Sequence, residues 1–141
     1  YAMENDLERA MWDFNVALGK DPTLSRAYVD RGWIYESTGN IDEAIQDYTR
    51  AIQVDPQLVE AYYARGTAYY RINEMNSALD DFSKGIEIQP NNPRLYLIRG
   101  SVYVLIGLEM LAKEDMKKVL SLSEDPELIK RAMAILSGLP Q

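Results

Sequence analysis

Apolar residues in the stretch from Tyr28 to Ile52 fall at two sets of helical spacings. Tyr28, Gly32 and Tyr35 share one stripe, at spacings of four and three. Ile41, Ala44, Ile45, Tyr48, Ala51 and Ile52 make a second stripe, in which small and large side chains alternate as packed helix pairs require. Thr38-Gly39-Asn40 reads as a short turn between the two, and Asn40 with Glu43 predicts a capping box at the second start. Asp55-Pro56 stops the second helix, because proline lacks the donor and clashes with the preceding turn. The stretch predicts an antiparallel helix pair.

The pattern then repeats. RGWIYESTGNIDEAIQDYTRAIQVDP, at 31–56, returns 34 residues later as RGTAYYRINEMNSALDDFSKGIEIQP. Gly32, Gly66 and Gly100 align, as do Tyr28, Tyr62 and Tyr96, and Tyr35, Tyr69 and Tyr103. Ala10, Ala44, Ala78 and Ala112 form another column, followed four residues on by Phe14, Tyr48, Phe82 and Met116. Pro22, Pro56 and Pro90 close each unit. Glycine inside a helix costs roughly 1 kcal/mol against alanine, so a glycine in every unit predicts close approach of a neighbouring helix. The ends depart from the pattern. Leu7 to Leu18 reads as a second helix whose own first helix is missing, apart from a remnant at 1–4. The third copy has Glu109 where Ile41 and Met75 stand, and its proline, Pro126, arrives two residues late. Glu127 to Leu136 then forms one more amphipathic helix, with Leu128, Ile129, Ala132, Met133 and Leu136 on one side and Asp125-Pro126 as cap and first-turn proline. It is expected to cover the last repeat.

These columns resemble the tetratricopeptide repeat signature: Tyr28, Gly32, Tyr35, Gly39, Ala44, Tyr48, Ala51 and Pro56, then Tyr62, Gly66, Tyr69, Ala78, Phe82 and Pro90, with a weaker copy from Pro93 to Pro126. The resemblance covers nearly the whole chain. It implies an all-α fold, a right-handed superhelix (α-solenoid) of antiparallel helix pairs, with three full repeats, a partial N-terminal repeat and a C-terminal capping helix. The expected layout is one domain over 1–141: a partial repeat at 1–24, repeats at 25–58, 59–92 and 93–126, and a capping helix at 127–138. It also implies a concave groove lined by the first helix of each pair. The residues expected there are Arg26, Val29, Trp33, Glu36, Glu60, Tyr63, Thr67, Tyr70, Arg71, Arg94, Leu97 and Ser101. Trp33, Tyr63 and Tyr70 put aromatic side chains on a surface that packing does not need, and aromatics and arginine are the usual anchors of interfaces. Arg26, Arg71 and Arg94 are the candidates for holding a carboxylate or a phosphorylated residue. The family's chaperone-tail clamp uses Lys and Asn. Val29 and Trp33 stand at the matching positions, so that function does not carry over.

Arg31, Arg65 and Arg99 precede the three glycines, and Asp13, Asp47, Asp81 and Asp115 precede the aromatic column of the second helices. One reading is a ligand-binding arginine row. The favoured one is pairing across the helix seam, since a partly buried arginine needs a partner. Arg31 then pairs with Asp47 of its own unit or Asp13 of the preceding one. Asp13, which has no arginine in its own unit, tilts the expectation to the second.

On the outward face of the second helices, Asp80 with Lys84, Glu114 with Lys118 and Gln46 with Arg50 are spaced as surface pairs. The first unit has Trp12 and Val16 there, an apolar pair that suggests contact. An upstream segment, a second copy of the chain, or a separate partner fits this second interface. The upstream segment is favoured because the first unit is incomplete. Tyr1 opens a stretch that already reads as structured, the expectation being a processed form or an excised domain.

Composition narrows the chemistry. Of 141 residues none is cysteine or histidine, which excludes disulfides, thiolate nucleophiles, the usual zinc sites and imidazole bases. A net charge of -7 argues against nucleic acid and, more mildly, against an anionic membrane surface. The longest charge-free apolar stretch, Ser101 to Leu108, is too short to span a bilayer. Carboxylates such as Asp42, Glu43, Asp80 and Asp81 recur on helix surfaces rather than converging, and no glycine-rich phosphate loop exists. No catalytic residue, metal or cofactor is expected. The favoured function is a non-enzymatic module binding a peptide or protein segment. The alternative is a structural scaffold associating through Trp12, Val16 and the terminal helix.

Overall fold

A computed structural model describes residues 2–140, with side chains from Asp6 onward. Eight helices follow one another among the described residues: α1 Ala2–Lys20, α2 Ser25–Ser37, α3 Ile41–Val54, α4 Val59–Arg71, α5 Met75–Ile88, α6 Pro93–Leu105, α7 Glu109–Leu122 and α8 Pro126–Gly138. The fold is all-α and built of helical repeats. The expected remnant of a separate helix at 1–4 is corrected, since Ala2 already opens α1; Tyr1 lies outside the described residues. Two compact units are present, Tyr1–Glu74 and Met75–Gln141.

In the first unit, α2 and α3 form a hairpin, and α1 and α4 pack beside it. Its core holds Val29, Ala44, Tyr48, Ala51, Leu58, Ala61, Ala64 and Ala68. Gly32 explains how tightly the hairpin closes: a Cβ there would stand 2.5 Å from Tyr48 Cε1, inside van der Waals contact. Tyr48 is fully buried, and burying such a side chain stabilises by roughly 1.5–3 kcal/mol. In the second unit α6 and α7 form the corresponding hairpin, with α5 and α8 against α6 and α7. Tyr96, Leu97, Met116, Val119, Leu128 and Ala132 make its core.

The turns after α2, α4 and α6 are Schellman motifs. The backbone N–H groups of Asn40, Glu74 and Leu108 donate to Tyr35, Tyr69 and Tyr103 carbonyls at 2.8, 2.9 and 2.8 Å. The residue before each, Gly39, Asn73 or Gly107, holds φ of 83, 65 or 77°. Glycine takes that conformation freely and asparagine tolerates it. The capping box at Asn40 is corrected. The Asn40 side chain accepts no cap hydrogen bond; its amide donates to Thr38 Oγ1 at 3.0 Å. At α8 the expected cap forms, with Asp125 Oδ1 accepting from the Glu127 N–H at 2.9 Å. On the outward face Arg50 donates to Gln53 and Lys84 to Glu87, each three residues on.

Candidate functional site

The tyrosine columns have a purpose that spacing alone leaves open. Tyr62 and Tyr96 donate their hydroxyls to the carbonyls of Pro56 and Pro90, pinning each first helix to the proline that closed the repeat before it. Their rings also flank the arginine column. The Arg31 guanidinium sits 5.7 Å from the Tyr28 ring centre and 5.9 Å from that of Tyr35; Arg99 sits 5.8 Å from Tyr96 and 5.6 Å from Tyr103.

Between these rings each guanidinium reaches both ways. Arg31 donates from Nε and Nη2 to the two oxygens of Asp47, both at 2.7 Å, and from Nη1 to Asn15 Oδ1 of α1 at 2.8 Å. Arg99 repeats this with Asp115 at 2.8 and 2.7 Å and with Ser83 at 3.1 Å. Arg65 donates to Thr49 at 3.1 Å. The expectation that tilted toward Asp13 is corrected: the bidentate partner of Arg31 is Asp47 of its own hairpin, and the preceding repeat contributes Asn15. The hydrogen bond to Asp47 raises the Arg31 pKa above its ordinary value, against the opposing effect of burial, and Asp115 does the same for Arg99. These arginines are spent inside the fold.

The candidate surface of the first unit lies on α2 and α4. Trp33 is 50% exposed, Tyr63 40% and Tyr70 39%. Two ion pairs bridge the helices beside them. Arg26 Nη2 stands 2.9 Å from Glu60 Oε1, and Arg71 Nη1 stands 2.7 Å from Glu36 Oε1. Arg26 and Arg71, expected to be available for a carboxylate, are already paired with carboxylates of the chain itself. Glu36 is a junction. Its other oxygen accepts the Tyr48 hydroxyl at 2.7 Å, so the core residue that presses on Gly32 is tied through Glu36 to Arg71 of α4. Burial, and then this bond to a carboxylate, push the Tyr48 phenol far above its usual pKa and keep it a donor. Spacing did not reveal this junction, although Tyr48 is the only member of its column with a hydroxyl.

Two expected surface residues are corrected. Val29 and Leu97 are each 3% exposed and belong to the cores of their units. Thr67 and Ser101 donate their hydroxyls to the carbonyls four residues before them, Tyr63 and Leu97, as helical hydroxyls commonly do. In the second unit Arg94 stands exposed on the first turn of α6, whose Asn92 cap accepts from the Arg94 N–H at 3.1 Å. Trp12 on α1 is 66% exposed, and Val16 half-buried.

Among the described residues there is no cluster of three metal-ligating side chains, and no helix is long and apolar enough to cross a membrane.

Paired helices of fixed period, closed on glycine and joined by like turns, define a helical-hairpin repeat protein. A family model described as TPR repeat matches residues 32–73, and one described as Tetratricopeptide repeat matches residues 59–92. The two matches support the assignment of residues 32–92 to tetratricopeptide repeats. No curated protein sequence matches significantly. Solved structures share the fold. MamA is similar at 23% identity and a TM-score of 0.78, covering 96% of this chain and 88% of its own. The first TPR of Spaghetti (RPAP3), bound to the HSP90 peptide SRMEEVD, is similar at 24% identity and a TM-score of 0.72, covering 80% of this chain and 93% of its own. YrrB, a TPR protein with an unusual peptide-binding site, is similar at 23% identity and a TM-score of 0.75, covering 88% of this chain and 64% of its own.

Proposed function

We propose that the chain is a non-enzymatic protein-interaction module that takes a peptide or protein segment against the α2–α4 face. The observation that carries this reading is the row of exposed aromatics, Trp33, Tyr63 and Tyr70, on helices held to one another by two ion pairs. Aromatic side chains on a preformed surface supply contact area at small entropic cost, so affinity comes from few anchors. Two of the similar structures bear on it by their descriptions: one holds a peptide, and the other is described by its peptide-binding site. Arg94 on α6 is a separate candidate contact residue of the second unit.

Binding to an immobilised peptide array, read by fluorescence, tests the reading. Trp33→Ala with Tyr63→Ala is expected to weaken capture by about thirtyfold, the scale of a 2 kcal/mol anchor. Unchanged capture by a folded double variant refutes it.

A second reading is supported by Trp12, whose 66% exposure contrasts with the charged and polar residues at the matching positions of later repeats. On that reading the chain is a scaffold segment associating through Trp12 and Val16. Trp12→Ala then abolishes association while the Trp33 and Tyr63 changes leave it intact.

A further inference from the structure

Beside the α2–α4 face lies a hollow of about 440 Å³, all of it within the first unit. Three apolar side chains from different elements line it: Phe14 from α1, Leu24 from the α1–α2 turn and Leu58 from the α3–α4 turn. Its charged lining is Asp30, Asp55 and Arg26. The three charges are not equivalent. Arg26 extends to Glu60 on α4 and is neutralised there. Asp30 and Asp55 have no ion-pair partner among the described residues. The Asp55 Oδ1 atom accepts the Gln57 N–H at 3.0 Å, which fixes the carboxylate at the lip of the turn.

The turn before α2 is fixed in the same way. Asp21 Oδ1 accepts both the N–H and the hydroxyl of Thr23, at 2.9 and 2.5 Å, which sets the path of the turn that carries Leu24. These bonds, the hydroxyl's first, lower the Asp21 pKa. The hollow therefore combines an apolar wall with a surplus of carboxylate. A side chain suited to it has an aliphatic stem and a cationic head, since such residues bury the stem along apolar surface and keep the head among charged or hydrated groups.

We infer that this hollow receives a lysine or arginine side chain of the polypeptide bound on the α2–α4 face, the stem against Phe14, Leu24 and Leu58 and the head at Asp30 and Asp55. The inference rests on the proposed binding face and adds a preference to it. Arg26 and Arg71 are consumed by Glu60 and Glu36, so this face offers its ligand carboxylate rather than guanidinium. The preferred partner is a basic segment, not an acidic tail. Overall charge acts in the same direction, because a net charge of -7 steers cationic chains toward the protein.

The test uses synthetic dodecapeptide libraries with one position fixed as lysine, arginine, norleucine or glutamate and the others randomised. Wild type is compared with Asp30→Asn/Asp55→Asn, which keeps shape and the turn acceptor and removes both charges. Circular dichroism verifies that the variant is folded. Wild type is expected to bind the lysine and arginine libraries about tenfold more tightly than the norleucine library, the scale of one charge-assisted contact, with glutamate weakest. The double variant is expected to lose that preference and keep its affinity for the norleucine library. Equal binding of lysine and norleucine by wild type overturns the inference, as does an undiminished preference in the variant. If capture still requires Trp33 in either case, the binding face stands and only this hollow is lost. Capture of no library at all removes both.

Discussion

The α2–α3 and α6–α7 hairpins are built on one plan and differ in one connection. Both place an arginine between two tyrosine rings, give it a bidentate aspartate in the same hairpin, and send an Nη1 N–H to the preceding repeat. Both bring the helices together at a glycine. In the first, Gly32 meets the Tyr48 ring, whose hydroxyl continues through Glu36 to Arg71 on the surface. In the second, Gly100 meets Met116, which has no hydroxyl, and Val104 stands where Glu36 does. The seam is thus common property of the repeats, while the link from seam to surface is made once. The lesson is that a repeat protein can keep its packing periodic and still individualise its exposed face by changing one core residue and one rim residue together.

Three comparisons sharpen that contrast, from the largest expected effect to the smallest. Asp47→Ala and Asp115→Ala strand a guanidinium that is largely shielded from water, and each is expected to cost about 3 kcal/mol. Chemical denaturation followed by circular dichroism measures both. Unequal losses, or losses under about 0.5 kcal/mol, the scale of an ordinary surface position, break the claim that the seam is common to both hairpins. Gly32→Ala is expected to cost about 2 kcal/mol, because the buried Tyr48 ring has nowhere to go, whereas Gly100→Ala meets the flexible end of Met116 and, at 3.0 Å, the Asp115 Cβ, and is expected to cost less. The difference between the two is the informative number, and its reversal rejects the packing account. Tyr48→Phe removes the hydroxyl link alone and is expected to cost about 1 kcal/mol. Arg71→Ala, made in the Tyr48→Phe background, is then expected to cost less than it does in wild type. Additivity of the two changes in a double-mutant cycle denies the junction.

The helical repeat is legible in the sequence because each column carries one physical requirement. Glycine marks the close approach, proline the stop, and tyrosine the ring beside an arginine. The acceptor column of Asn15, Thr49 and Ser83 escaped notice because an amide and two hydroxyls do the same work while looking unrelated. By charge alone Asp13 reads as the acceptor, and Asn15 is the residue that accepts. Val29 and Leu97 were placed on the surface because Val29, Tyr63 and Leu97 vary like a contact column, yet two of the three are aliphatic and fill the cores. The ion pairs Arg26–Glu60 and Glu36–Arg71 join separate helices at offsets of 34 and 35 residues. The second joins neighbouring columns, so stepping by the repeat period could not find it.

The third N–H of each arginine sets a rule for lengthening the array. A hairpin copied from this chain brings its guanidinium with it and needs an oxygen waiting on the helix it is fused behind. At the position 34 residues after Ser83 stands Lys117, an ammonium with no lone pair to offer. A duplicate of the α2–α3 hairpin spliced behind α7 would set two cations face to face. The same splice with Lys117→Ser supplies an acceptor at that position, and the extended chain is expected to be the more stable of the two.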